Sequence, residues 1–399
     1  METPSEFIYN PRLVRRASRN LFKRLRWCYT LGNLVSDLPT DPLCNTAPSS
    51  VKKIASTVRL SAIVSLVLLF LYKTNYTRDR FFFQFPITVG CFLCMSLGAM
   101  LNFRHGTFRN DHLQLLRSLV QFDVSYIQYL DENYGNHQKY RNRTVLAFFF
   151  MLSVTNSSIL AFDESNDLDW FLLLPKVIDR INSAWCSYSI TIHAMEIKIR
   201  YDNLNSHLKN LGKDGEKPIS LDPLKTETLI TSKLYYVNRL HYKLYRIISR
   251  FSDIYSIPML IIIFISICIT VTDFYYIYKM MFLEIEDLSK TYAVLHGCQI
   301  VMRFLELAVL VEACFGVCES ANSTPVLLHQ YRNDFYNNKI DSHIQMYSLQ
   351  HLHQKVFINV LGFLEVDLST LYTYIGSVIA YLLILIQFDK LPEKNMKIH

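Results

Sequence analysis

An all-α, polytopic membrane fold with seven transmembrane helices is predicted by three features of this 399-residue chain. Hydrophobic residues make up 51% and charged residues only 19%, against about 25% charged in a typical soluble domain. The apolar residues gather in runs too long for a soluble core, such as Ser61 to Tyr72, Ile257 to Tyr278 and Tyr372 to Phe388. Glycine and proline are sparse, at 11 and 12, which excludes a disordered or collagen-like chain. A spanning helix needs about 20 mostly apolar residues, and hydrocarbon forces such a segment to satisfy its own backbone.

The predicted spans are 55–72, 82–103, 145–162, 170–194, 256–278, 291–318 and 370–388. The second, third, fifth and seventh are free of charge apart from Asp273 near the end of the fifth. The fourth carries Lys176, Asp179 and Arg180, and the sixth carries Arg303, Glu306 and Glu312. An intramembrane charge costs about 2.5–3.5 kcal/mol on insertion scales, so these two helices must turn their charged sides inward.

Basic residues set the orientation. With a cytoplasmic amino terminus, 29 of the 41 lysines and arginines fall in inside segments and 8 in outside ones. The positive-inside rule therefore predicts a cytoplasmic start and an external carboxyl terminus, the reverse of a G-protein-coupled receptor. The chain divides into a cytoplasmic arm (1–54), a seven-span domain (55–388) and an extracellular tail (389–399). In the arm, Arg12, Arg15, Arg16, Arg19, Lys23, Arg24 and Arg26 alternate with Leu13, Val14, Leu21, Phe22, Leu25 and Trp27. That basic amphipathic segment suits either an anionic lipid leaflet or a solvated helix face. The first apolar run begins near residue 55, too late for a cleavable signal peptide, and is expected to act as an anchor.

Between spans the chain stays helix-like. Leu234, Val237, Leu240, Leu244 and Ile247 recur at 3–4 spacing, which predicts a helical stripe continuing beyond the membrane. Gly212 to Pro218 predicts a flexible break. No internal repeat of the inverted-transporter kind is visible.

Chemistry-bearing motifs are few. His343, His351 and His353 have no matching ligand set elsewhere, and no nucleophile motif or Gly-rich phosphate loop is present. Neither catalytic residues, nor a metal, nor a cofactor is expected, and the bases lack any nucleic-acid motif. Asp179-Arg180-Ile181 resembles the Asp-Arg-Tyr of G-protein-coupled receptors only superficially, since it sits in the wrong span. Seven of the nine cysteines lie in or beside spans, which argues against an extracellular disulfide framework. Cys91-x-x-Cys94 reads as apolar packing.

Span seven is the informative helix. Thr373, Gly376, Ala380, Leu383 and Gln387 share one face, with Tyr374, Ser377, Tyr381, Ile384 and Phe388 on its neighbour. This pattern fits a tightly packed central helix or a helix repeated around an axis, where a hydrophobic constriction gates. Tyr381, five aliphatic residues and then Gln387-Phe388 resemble the Thr-Tyr-(five hydrophobic)-Gln-Phe motif closing the last helix of insect gustatory receptors. Position 380 departs, with alanine for threonine. Upstream, Ser348 to His353, Phe357, Gly362 to Asp367 and Leu371 follow in the order of that family's approach to its final helix.

The resemblance implies a ligand-gated, nonselective cation channel in the plasma membrane of chemosensory neurons, opened by a small-molecule tastant. It further implies a homo- or hetero-tetramer with other gustatory receptor subunits. Each subunit would give one last helix to the pore, with Gln387, Phe388, Tyr381, Ser377 and Ile384 at the pore or gate. Leu382 stands where sugar-sensing relatives usually carry an acid, which leans towards a bitter-type or orphan receptor. A metabotropic seven-span receptor and an accessory subunit are the competing readings.

The family also implies an outward-facing ligand pocket between spans two and six. Gln299, Arg303, Glu306, Tyr275, Trp185 and Asp179 are the candidates by depth and polarity, while internal charge pairing of Arg303 with Glu306 is the plainer reading. Of four Asn-x-Ser/Thr triplets, only Asn75-Tyr76-Thr77 falls in an outside loop, as a glycosylation candidate.

Overall fold

The computed structural model describes residues 11–35, 107–130, 145, 147–149, 151, 170–215, 223–282, 289–332 and 338–396. Within them run α1 (Pro11–Val35), α2 (Thr107–Tyr129), α3 (Trp170–Gly215), α4 (Pro223–Phe282), α5 (Ser289–Asn322), α6 (Thr324–Arg332) and α7 (Asn338–His353). A small hairpin, β1 (Asn359–Val360) and β2 (Leu364–Glu365), precedes α8 (Ser369–Met396). Spans one and two, most of span three, Asn75, Cys91 and Cys94 lie outside the described residues.

Helix α4 sets the scale of the molecule. Its 60 residues make a rod of about 90 Å, three times the hydrocarbon thickness, so much of it must project beyond the bilayer. Leu234, Val237, Leu240, Leu244 and Ile247 are all buried, as their spacing predicts. They pack with Leu204 and Leu208 of α3 and with Ile340 and Ile344 of α7 in one apolar core. Pro258 lacks the N–H that a helix interior uses, yet the helix runs through it, with Met259 and Ile262 buried just beyond. This bundle is called the base below.

The amino-terminal arm is neither on lipid nor in solvent along its whole length. Ala17, Leu21 and Leu25 of α1 are buried in the core beside Leu115, Leu116 and Leu119 of α2. Each buried leucine stabilises the docking by about 1.5–3 kcal/mol, and Arg24 is drawn in with them. Both sequence readings of the arm overlooked a third partner, the protein itself.

Two further corrections concern local structure. Helix α3 continues to Gly215, so the break expected over 212–218 starts later than its glycines suggest. The all-helical expectation also misses the hairpin, whose strands pair Asn359 with Glu365 and Val360 with Leu364. Its turn needs left-handed backbone at Leu361 (φ 53°) and Gly362 (φ 78°), the second tolerated for want of a Cβ. The Gly362 N–H donates to Asn359 Oδ1 at 2.9 Å, closing the turn. The Ser369 N–H donates to Asp367 Oδ1 at 2.9 Å, capping the last helix as it begins.

Among the described residues, two helices are long and apolar enough to cross a membrane, one within α4 and the other at Ser369–Gln387 of α8. The apolar stretch of α4 is 61% buried inside the chain and that of α8 only 17%. Along α8, Thr370, Tyr374 and Val378 turn inward, while Thr373, Gly376, Ala380, Leu383 and Gln387 are exposed from end to end. Within one subunit α8 is therefore not the tightly packed central helix that its small residues allow. The helix also runs past 388 to Met396, into the stretch read as a tail.

Candidate functional site

The charged side of α5 is a row of His296, Gln299, Arg303 and Glu306 at 3-4-3 spacing, all buried. These residues share a face because the helical period brings each above the last. Arg303 Nη1 donates to Glu306 Oε2 at 3.1 Å, one turn along the same helix, and reaches Ser183 Oγ of α3 at 3.4 Å. Ser187 Oγ donates to Glu306 Oε1 at 2.8 Å, so α3 supplies a hydroxyl to each member of the pair. The pairing read from sequence is present. Arg303 Nε and Nη2 have no hydrogen-bond acceptor among the described residues, although the side chain is 1% exposed.

A second polar group joins α4 to α5. His296 Nδ1 and Asp273 Oδ1 lie 3.0 Å apart, and the His296 ring stacks on Tyr276 with centroids 5.2 Å apart and an interplanar angle of 9°. Tyr275, one residue earlier, stacks with Tyr278 and carries Lys279 Nζ 5.5 Å above its ring. One turn earlier on α4, Thr270 Oγ1 and Tyr374 Oη of α8 are 2.6 Å apart. The Tyr374 ring also lies 6.4 Å from that of Phe304, the neighbour of Arg303. The last helix is thus tied to the helices that carry the charged site.

Of the expected pocket residues, Arg303 and Glu306 come together, with Gln299 one turn away on the same face. Tyr275 keeps to an aromatic stack of its own, and Trp185 is half-buried against the core. The Asp179 side chain and span two lie outside the described residues. Sequence reasoning missed Ser183, Ser187, His296 and Tyr374. His296 was findable, since it sits one turn before Gln299 on the charged face; the serines carried no signal. Among the described residues, no three His, Cys, Asp or Glu side chains converge as metal ligands. Cys186, Cys268, Cys298, Cys314 and Cys318 are free thiols.

The base holds a contrasting cluster. Arg200 grips Asp123 of α2 with Nε and Nη2, at 2.8 and 2.7 Å, and Glu196 with Nη1 at 3.1 Å. Arg24 of α1 adds a second cation, 3.3 Å from Glu196 and 3.7 Å from Asp123. Nearby, the buried rings of His241 (α4) and His351 (α7) pack with centroids 3.8 Å apart, and Tyr201 sits edge-on to His241. Burial pushes His241 down to about 3, helped by His351 and opposed by the Ala321 carbonyl; burial pushes His351 down to about 4. Both are neutral at neutral pH.

Residues 22–392 match the model of the 7tm chemosensory receptor family. The chain belongs to that family. Gustatory receptor 28b of Drosophila melanogaster is similar, at 23% identity over 145 residues, covering 35% of this chain and 31% of that one. Gustatory receptor 2a of the same insect is 33% identical over 98 residues, covering 20% and 23%. The matched segments span less than a third of either relative. The insect olfactory receptor OR5 from Machilis hrabei has the same fold, with a TM-score of 0.67 at 13% identity over 93% of this chain and 99% of that one. The same receptor in complex with eugenol gives 0.58 at 13% identity, over 92% and 100%. This chemosensory receptor is accordingly a membrane protein with a mostly helical fold, in a family that is not one of enzymes.

Proposed function

We propose that the chain is a subunit of a ligand-gated, nonselective cation channel that detects a taste compound at the plasma membrane of chemosensory neurons. The observation that carries this reading is the exposed face of α8. Thr373, Gly376, Ala380, Leu383 and Gln387 include an amide and small residues, which lipid does not favour and a symmetry axis does. Four copies around an axis would line a path with these faces, closed towards the outer end by Gln387 and Phe388. Met346, Leu349, Leu352, Phe357, Leu361 and Phe363 form an exposed apolar surface leading into α8, and neighbouring subunits would cover it. The excess of bases in the base and arm supports a cytoplasmic amino terminus.

A small-molecule tastant, of bitter or orphan type, binds near Gln299 and Arg303 and favours the open arrangement by binding it more tightly than the closed one. The contact of Thr270 on α4 with Tyr374 on α8 would pass that preference to the last helix. The test is current recording from cells expressing the chain alone and with other gustatory subunits. Phe388→Ala should raise ligand-independent current, and Gln387→Ala should change ion preference or gating. Wild-type currents in both variants at matched surface level would remove α8 from the conduction path. A tag at the amino terminus that stains in intact cells would instead favour a metabotropic receptor.

A further inference from the structure

Two buried arginines of this receptor make the same local bond and differ in the rest. Arg200 uses Nη1 for Glu196 one turn back on its own helix, and Arg303 uses Nη1 for Glu306 one turn ahead. In Arg200 the remaining edge, Nε with Nη2, closes on both oxygens of Asp123. In Arg303 that same edge has no acceptor among the described residues, and the side chain is buried. A guanidinium edge removed from water without acceptors is costly, and its two parallel N–H groups define the shape of what would satisfy it.

Charge decides the class of acceptor. The base cluster holds two arginines against two carboxylates, so its Asp123 is balanced by Arg24. Around Arg303 the described charges are Glu306, already paired with it, and Asp273, which faces His296. A carboxylate on the Arg303 edge would leave an extra negative charge beside Glu306 in a low-dielectric setting, with no second arginine among the described residues to offset it. An uncharged oxygen with two lone pairs satisfies the same edge and keeps the site neutral.

We propose that Arg303 is the polar anchor for tastants bearing an uncharged carbonyl oxygen, as in esters, lactones, ketones and amides, and that the site discriminates against the matching carboxylates. This rests on the ligand-pocket reading above and adds the ligand's chemistry. Gln299 supplies a further amide on the same face, and the Ser183 and Ser187 hydroxyls hold the Arg303–Glu306 pair in register.

The experiment records dose-responses to matched sets of aliphatic and aromatic methyl esters, methyl ketones, lactones, carboxylates and hydrocarbons of equal size. Wild type is compared with Arg303→Lys and Gln299→Ala, each at measured surface level. Arg303→Lys keeps a cation for Glu306 and loses the planar fork. Carbonyl compounds should activate wild type while carboxylates and hydrocarbons are at least tenfold weaker, and Arg303→Lys should weaken carbonyl agonists about tenfold to a hundredfold. Carboxylates as potent as their esters, no active carbonyl compound, or an unchanged carbonyl response in Arg303→Lys would each overturn the proposal. If Gln299→Ala shifts the dose-response and Arg303→Lys does not, the pocket stands and the anchor falls. If neither shifts it, the pocket itself is elsewhere.

Discussion

In the base, Arg200 uses all three nitrogens on Asp123 and Glu196, and Arg24 completes a neutral quartet that joins three helices. On α5, Arg303 uses one nitrogen on Glu306 and a hydroxyl, and among the described residues the pair joins α5 to α3 alone. The same residue types one helical turn apart, at i,i+4 in the base and i,i+3 on α5, thus finish in different states. A saturated cluster fixes the packing of α1, α2 and α3 and offers nothing to a ligand. A cluster with donors left over stabilises less, and it can respond to a molecule that supplies the missing acceptor. On the proposed function, stability and responsiveness are divided between the two clusters.

The largest effect expected from breaking that contrast is in the base. Arg200→Ala takes from Asp123 and Glu196 the guanidinium they share, and breaking such a buried network commonly costs about 3–5 kcal/mol. Surface biotinylation should show little receptor at the membrane, whatever ligand is applied. Normal surface levels would mean that the quartet is dispensable. Arg303→Ala strands Glu306, which among the described residues keeps the Ser187 hydroxyl alone, so surface expression should again fall, and less than for Arg200→Ala. Equal or greater loss would erase the distinction between the clusters.

Acid sharpens the comparison further. His241 and His351 are held near 3 and 4, below the value of about 6.5 expected when unfolded. The unfolded chain therefore binds more protons between about pH 6.5 and 4, and stability falls as pH falls through that window. The slope is at most about 1.4 kcal/mol per pH unit for each histidine. Thermal melts of the detergent-solubilised receptor should drop between pH 7.5 and 5.5, and His351→Asn should flatten that dependence. A pH-independent melting temperature would show that the pair is not buried as described. The smallest effect is expected at Tyr374→Phe, which removes the hydroxyl facing Thr270 and should cost about 1 kcal/mol. Surface level should hold while the dose-response curve shifts. An unshifted curve would mean that Tyr374 does not couple the site to the last helix.

Much of this was written in the chain. The stripe from Leu234 to Ile247 is where its period puts it, and Arg303 meets Glu306 because three residues make nearly one helical turn. The hairpin was hidden because a two-residue strand is too short to display a period, and its one signal was an asparagine three residues before a glycine. Ser183 and Ser187 were hidden because a serine in an apolar helix looks the same whether or not it faces a partner. The docking of α1 was hidden for a different reason: basic amphipathic helices bind lipid, water or protein by the same pattern.

The sequence by itself determined the helical membrane class, the family motif at Tyr381 to Phe388 and the local charge pair on α5, because each depends on residues close together in the chain. Tertiary structure alone decided which arginine is saturated. Asp123 stands 77 residues before Arg200, and Ser183 stands 120 before Arg303, so no local spacing announces either contact. It also decided that α8 buries Thr370, Tyr374 and Val378 and exposes its small and polar face. Period fixes which residues share a face, but only the neighbouring helices determine which face is covered, since burial is set by what packs against it.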